Sequence, residues 1–228
     1  MKLMEWLESG WEQPDEGLWE VRGPRQHFTH SKVLAWVAAD RAVRTVESSG
    51  LPGPVDRWRA LCEAIHQDVC EKGYDAARNT FTQSYGSKRL DAALLLIPQL
   101  GFLPPEDERV RGTLRAVQQD LVVDDTFVLR YRNGDEGTDG LPGDEGAFLA
   151  CSFWLADALV LDGQVDAGRE LFERLLDLRN DVGLLAEEYD PRIGRQLGNV
   201  PQAYSHLALV NTALHLTSGS PPARAAPA

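Results

Sequence analysis

Apolar residues follow two patterns along this chain, and the two patterns alternate. In four segments Ala, Leu and other apolar or small residues cover nearly every helical face. These are SKVLAWVAADRAV from Ser31, LDAALLLIPQL from Leu90, EGAFLACSFWLADAL from Glu145 and PQAYSHLALVNTALHL from Pro201. A helix that is apolar all round is a buried helix. Between them lie one-sided stripes. VDRWRALCEAIHQDVC spaces Val55, Trp58, Leu61, Ile65 and Val69 by three and four residues. DERVRGTLRAVQQDL does the same with Val110, Leu114 and Val117, and QVDAGRELFERLLDLRN with Val165, Leu171, Leu175 and Leu178. Such stripes predict helices packed on one face only. The chain is therefore expected to be all-α, with buried inner helices alternating with half-exposed outer ones. That is a layered array of αα-hairpins, closed into a toroid or stacked as a solenoid. MKLMEWLES reads as the end of an outer helix with no inner partner before it, which leaves an apolar edge and suggests part of a larger ring.

The connections alternate as well. Inner-to-outer links such as SSGLPGP and GFLPPED are short and rich in Gly and Pro. Outer-to-inner links are long and carry aromatic, acidic and Arg residues: GYDAARNTFTQSYGSKR, VVDDTFVLRYRNGDEGTDGLPGD and GLLAEEYDPRIGRQLGNV. Long loops gathered at one end of a helical array are where function is usually placed. Short strands are expected inside them at residues 80–82 and 127–129. The array is expected to span residues 1–216, followed by a disordered Pro/Ala-rich tail over 217–228.

A length of 228 residues suits one ordinary domain, and a net charge of −12 excludes several partners. A chain this acidic lacks the basic footprint that a phosphate backbone or an anionic membrane surface requires, so neither nucleic acid nor membrane is expected. Three cysteines without metal spacing read as buried free thiols. The N-terminus lacks the apolar core of a signal peptide, and no apolar run is long enough to cross a bilayer, so the expected compartment is the cytoplasm.

Candidate chemistry lies in two loops. PDEGLWEVRG holds Asp15, Glu16, Trp19 and Glu20; GLLAEEYDPRIGRQLGN holds Glu187, Glu188, Tyr189 and Asp190. Both precede inner helices, so both project from the same end. Two carboxylates facing each other across a funnel, with aromatic platforms and arginines beside them, are the minimum for glycoside hydrolysis. Trp19 is expected to give Glu20 a more apolar setting than Glu187 has. Other polar clusters read as structure. His27 and His30 read as packing where an inner helix begins. Ser205 and His206 are adjacent on one helix and point apart. The pairs Asp124 with Asp125 and Asp135 with Glu136 read as solvated turns.

These loops carry a resemblance. PDEGLWEVRGPRQHFTHSKVLAWVAADRAVR resembles the central catalytic segment of glycoside hydrolase family 15, and LLAEEYDPRIGRQLGNVPQAYSHLALVNTAL resembles its last inner hairpin. The resemblance implies an incomplete (α/α)6 barrel, with about three and a half of six helix pairs present. The family's N-terminal β-sandwich and the early part of its barrel have no counterpart in this sequence. It implies inverting hydrolysis of an α-linked glucoside, trehalose or a maltooligosaccharide, with Glu20 as general acid and Glu187 as general base. VLRYRN resembles the family's sugar-binding loop, which implies that Arg130 and Tyr131 contact a glucose hydroxyl and that Trp19 lines the pocket. Glu145, in GDEGAF, is a further candidate. Inversion calls for carboxyl groups roughly 6.5–9.5 Å apart, against about 5 Å for retention. No cofactor is needed for this chemistry, although a trehalase-type member would bring phosphate and magnesium. The expected partner besides the sugar is a missing N-terminal half or a second copy. The rival expectation is an inert helical-array binding or assembly module, or one half of a split enzyme.

Overall fold

The computed structural model describes residues 2–132 and 146–218. Its first helix, α1 (Lys2–Gly10), is followed by a long loop and then by the hairpin α2 (Thr29–Ser49) and α3 (Val55–Lys72). Gly50 ends α2 in the left-handed region, at φ 67°, with its N–H on the Val46 carbonyl; Pro52 and Pro54 then turn the chain back. A two-stranded hairpin follows, β1 (Tyr74–Asp75) with β2 (Thr80–Phe81). A 3-10 turn (Ala92–Leu95) runs into the short α4 (Leu96–Gln99), and α5 (Glu108–Leu121) begins behind Asp107, whose side chain accepts from Arg109 N. A second hairpin, β3 (Val122–Val123) with β4 (Phe127–Val128), closes on Asp124 and Asp125, both at φ 51°. Two consecutive left-handed residues are what such a tight hairpin turn needs, so this pair is a turn, as expected.

The last third is β5 (Ala147–Phe148), α6 (Leu149–Leu161), α7 (Val165–Leu176), β6 (Glu188–Asp190), β7 (Arg195–Leu197) and α8 (Ala203–Ser218). The strands form one antiparallel sheet in the order β5-β6-β7, with Phe148 opposite Glu188 and Glu188 opposite Leu197. Inner and outer elements alternate as the pattern predicts: α2 pairs with α3, the 3-10 turn with α5, and α6 with α7. The helix α6 is central and also packs on α4, the 3-10 turn and α8. Leu149, Cys151 and Phe153 are fully buried on it, and α5 and α7 supply Val117 and Leu175. Gly112 on α5 has a specific reason: a Cβ there would lie 1.9 Å from the Asn79 carbonyl oxygen of the β1–β2 loop.

The structure changes four expectations. LDAALLLIPQL is deeply buried, but it is not one helix. Pro98 lacks an N–H, and its ring crowds the carbonyl one turn back, so only the 3-10 turn and a single α-turn form. The terminal inner helices are not buried all round. Tyr204, Leu207, Val210 and Leu214 on α8 and Leu34 on α2 are exposed, as are Leu3 and Trp6 on α1. Of the thiols, Cys151 is buried, whereas Cys62 and Cys70 are half-buried. Finally, α8 continues through Ser218, past the expected boundary at 216; residues 219–228 lie outside the described residues. Among the described residues no helix is long and apolar enough to cross a membrane.

Candidate active site

The loop between α1 and α2 is closed by a backbone pair, Asp15 N to Gln26 O and Gln26 N to Asp15 O, each 2.9 Å. The Asp15 side chain accepts from Gly17 N at 2.6 Å and from Ser31 Oγ at 3.0 Å, which ties the loop to the start of α2. The buried Lys32 anchors its base: Nζ donates to the carbonyls of Trp11 and Gln13. Burial lowers the Lys32 pKa, against the opposing pull of Asp15. Inside the loop Val21 N donates to Glu16 O, and Glu20 sits at φ 51°. A left-handed non-glycine residue costs backbone energy and persists only where its surroundings hold it. Here Val21 on one side is buried, and Trp19 on the other is packed inward.

Trp19 joins three elements. Its Nε1 donates to both carboxylate oxygens of Asp91, at 3.1 and 3.0 Å. Its ring stands edge-on to Phe148, with centroids 5.4 Å apart, and lies 6.1 Å from Trp154 on α6. The Arg130 guanidinium sits 5.2 Å from the Trp19 ring, 5.3 Å from Tyr131 and 5.9 Å from Phe148. The structure thus brings Trp19, Arg130 and Tyr131 together. Tyr131 is 5% exposed. Asp91 also accepts from Ala93 N and Gln83 Nε2, and burial raises its carboxyl pKa, with the donors and Arg130 pulling the other way.

Glu187 stands just before β6. Its N–H donates to Asn199 O, its carbonyl accepts from Leu149 N, and its Oε2 accepts from Asn199 Nδ2 at 2.9 Å and Asn199 N at 3.2 Å. Glu188 turns the other way and accepts from Gly146 N at 3.1 Å. Arg192 grips Asp190 with two guanidinium bonds at 3.0 Å and holds that carboxyl below its ordinary range. Tyr189 stacks on Phe127 at 4.8 Å. Glu20 and Glu187 therefore flank one junction: Glu20 adjoins the ring that packs on Phe148, and Glu187 is bonded to the next residue, Leu149. The expectation that Glu20 occupies the more apolar setting is not met. Glu20 is exposed and Glu187 half-buried, because the indole of Trp19 takes the inward place and the left-handed turn leaves Glu20 outside.

A cavity of about 520 Å³ adjoins this junction; Arg130, Tyr131, Gly146, Ala147, Asp190 and Arg192 are among its lining residues, whereas Trp19, Glu20 and Glu187 are not, so the expectation that Trp19 lines the pocket is not met. Its mixture of arginines, a carboxylate and an aromatic ring suits a ligand rich in hydroxyl groups. Glu145 lies outside the described residues, as do Asp135 and Glu136. Among the described residues no three His, Cys, Asp or Glu side chains gather as a metal site. His206 is held by Leu185 N and the Gln202 carbonyl while Ser205 Oγ donates to Ala186 O, so each side chain is engaged with backbone. Asp91 and Gln83 escape a reading of the sequence. An Asp before an Ala-Leu run has the signature of a helix cap, and nothing local marks a partner 72 residues away.

His30 is buried one residue into α2, and burial lowers its pKa to about 4. A depressed histidine contributes stability that is present above its unfolded pKa of about 6.5 and is lost as pH falls through about 4. The loss amounts to about 3 kcal/mol over that window, at roughly 1.4 kcal/mol per pH unit. Chemical denaturation at pH 7 and at pH 4.5 should show the wild type losing more stability between the two than His30→Asn does. Equal losses would refute a titrating role for His30.

A sequence model of the glycosyl hydrolases family 15 matches residues 1–214. A trehalase of Mycobacterium tuberculosis (strain ATCC 25618 / H37Rv) is 50% identical over 206 residues, which cover 90% of this chain and 30% of the relative. A trehalase of Thermoplasma volcanium is 41% identical over 212 residues, covering 93% of this chain and 33% of the relative. The chain thus spans about a third of the length of these curated relatives. Among solved structures, a wild-type glycosidase superposes with a TM-score of 0.78 at 20% identity, over 93% of this chain and 58% of that one. A glucoamylase from Saccharomycopsis fibuligera superposes with a TM-score of 0.75 at 13% identity, over 95% and 60%. Those two likenesses establish the fold. Matched over residues 1–214, with inner and outer elements alternating and both carboxylate loops meeting at the start of α6, the chain belongs to the glycosyl hydrolases family 15.

Proposed function

We propose that this chain is the part of a family 15 glycoside hydrolase that carries both reacting carboxylates, and that its substrate is an α-linked glucoside, trehalose before maltooligosaccharides. The observation that supports it most is the contact of Trp19 with Phe148. That contact sets the Glu20 loop against the strand and helix start to which Glu187 is bonded. The preference for trehalose rests on the similarity to proteins named as trehalases.

In this reading Glu20 donates its proton to the glycosidic oxygen as the bond from that oxygen to the anomeric carbon breaks. Glu187 accepts a proton from a water whose oxygen attacks the anomeric carbon from the opposite face. The net reaction adds one water, and the configuration at the attacked carbon inverts. The two Asn199 N–H groups hold the Glu187 carboxylate in place for that water. Arg130 and Tyr131, which line the cavity, bind sugar hydroxyls, and the Trp19 ring backs Arg130 from outside it. Bound sugar and the rest of the barrel cover the exposed Glu20. The array itself is read as part of an (α/α)6 barrel, in which the exposed apolar faces of α1 and α8 meet the remaining helices.

The test is glucose release from trehalose, maltose and isomaltose, followed by NMR. The chain is assayed by itself and with the remainder of a trehalase relative supplied in trans. Positioning contributes several kcal/mol to such catalysis, so the complemented protein should far outpace the chain by itself. Trehalose should be cleaved fastest, giving one α- and one β-glucose at first. Two α-glucoses would overturn inversion. Glucose from none of the sugars in either arm would overturn the hydrolase reading.

A further inference from the structure

We propose that Asp91 is a positioning residue that clamps the indole N–H of Trp19 and, through that ring, holds the Trp19–Glu20 turn in its working orientation. The inference rests on the reading of Glu20 as the proton donor. Asp91 is the N-cap of the 3-10 turn, but capping does not account for its setting. The cap requires one oxygen to accept from Ala93 N. The other oxygen accepts from Gln83 Nε2, and both lie within reach of Trp19 Nε1. Asp107 caps α5 in the same way from a more open position, so a cap in this protein does not need a buried carboxylate.

Burying a carboxylate is expensive unless donors surround it, and here the donors come from three separate segments. The Trp19 ring is fixed on its other sides by Phe148, Trp154 and the Arg130 guanidinium. Rotating the indole would leave its N–H without a partner in a largely apolar box and would strip Asp91 of a donor. Trp19 therefore has one position. Glu20 follows directly, in the left-handed backbone that Val21 locks from the other side. Asp91 acts on Glu20 through Trp19 and touches no reacting atom.

The test uses the full chain labelled with 15N. The Trp19 indole resonance is identified by its disappearance in Trp19→Phe. Asp91→Asn keeps the size but leaves one acceptor oxygen for Ala93 N and the indole to share, and turns an amide donor toward Trp19 Nε1 and Gln83 Nε2. We expect hydrogen exchange at the Trp19 indole to speed up at least tenfold in Asp91→Asn, and the amide resonances of Glu20 and Val21 to shift with it. Trp19→Phe retains the cap and should shift Glu20 and Val21 in the same way while leaving Ala93 in place. Changes in Asp91→Asn confined to residues 92–95, with the indole unaffected, would overturn the proposal and leave Asp91 as a cap. In the complemented trehalose assay both variants should lower kcat about 10²-fold with KM within about twofold of wild type, as expected for a displaced reacting group. A raised KM with unchanged kcat would also overturn it. If the wild type releases no glucose, the hydrolase reading fails and the resonance experiment alone decides the clamp.

Discussion

Glu20→Gln and Glu187→Gln should each lower trehalose hydrolysis by the complemented protein by about 10²–10⁴-fold, the range associated with removing a general acid or base. Each substitution removes one ionisable oxygen and keeps the shape. In Glu187→Gln the remaining side-chain oxygen can still accept from Asn199, and Glu20 is exposed, so neither change should move the denaturation midpoint appreciably. Loss of turnover without loss of folding is therefore the diagnostic pair of results. The neighbouring Glu188→Gln is the control that matters. Glu188 accepts from Gly146 N on the opposite side of the strand, and an amide oxygen can do the same, so its loss should be far smaller. If Glu188→Gln proves as damaging as Glu187→Gln, the roles of these adjacent glutamates must be exchanged. If both Glu20→Gln and Glu187→Gln retain wild-type turnover, the carboxylate assignment fails.

Phe153→Ala should be the most damaging single truncation in the helical array, costing about 3–5 kcal/mol. The ring is fully buried on α6, the helix with the most partners, and meets Phe172 of α7 edge-on at 6.1 Å. The Phe153 carbonyl also accepts from Thr212 Oγ1 of α8. Elements on several sides of the vacated volume are held by other contacts, so the site cannot collapse to fill it. Urea unfolding of Phe153→Ala beside Leu207→Ala, a residue on the exposed face of α8, provides the comparison. The first midpoint should fall steeply and the second should barely move. A loss below about 1 kcal/mol at Phe153 would show that α6 is not the centre of the core.

Helices with a one-sided stripe are legible because burial and periodicity coincide in them. Trp58, Ile65 and Val69 face inward on α3 as their spacing requires, and Val110, Leu114 and Val117 do so on α5. The short strands at Thr80–Phe81 and Phe127–Val128 are legible from their β-branched and aromatic residues between turn signals. The Leu90 segment misleads because apolar composition marks burial without marking geometry, and Pro98 decides the geometry. The exposed face of α8 is illegible for a related reason: an all-apolar helix does not indicate which of its sides meets a neighbour. Within the site, the residue types of both loops are readable. The backbone of Glu20 is not, since no periodic signal marks a left-handed residue, and neither is Asp91, whose partner is remote. Adjacency alone shows that Glu187 and Glu188 point opposite ways but not which of them Asn199 holds.

That adjacency bears on how the chain can fail during folding. Because side chains alternate along β6, a slip of one residue against β5 would put Glu188 where Glu187 belongs while keeping a carboxylate on each face. The slipped product would keep its secondary structure but would lose the stack of Tyr189 on Phe127. Two contacts on the far side of the strand work against it. Gly198 leaves no room for a Cβ, which would fall 2.7 Å from Glu187 Oε2 and 2.9 Å from Glu187 Cβ, and Asn199 then meets the same carboxylate with two N–H donors. Any other residue at 198 would meet Glu187 and would also be strained by the left-handed backbone there, at φ 76°. The glycine thus leaves space for the Glu187 side chain in the one frame in which both Asn199 donors reach it.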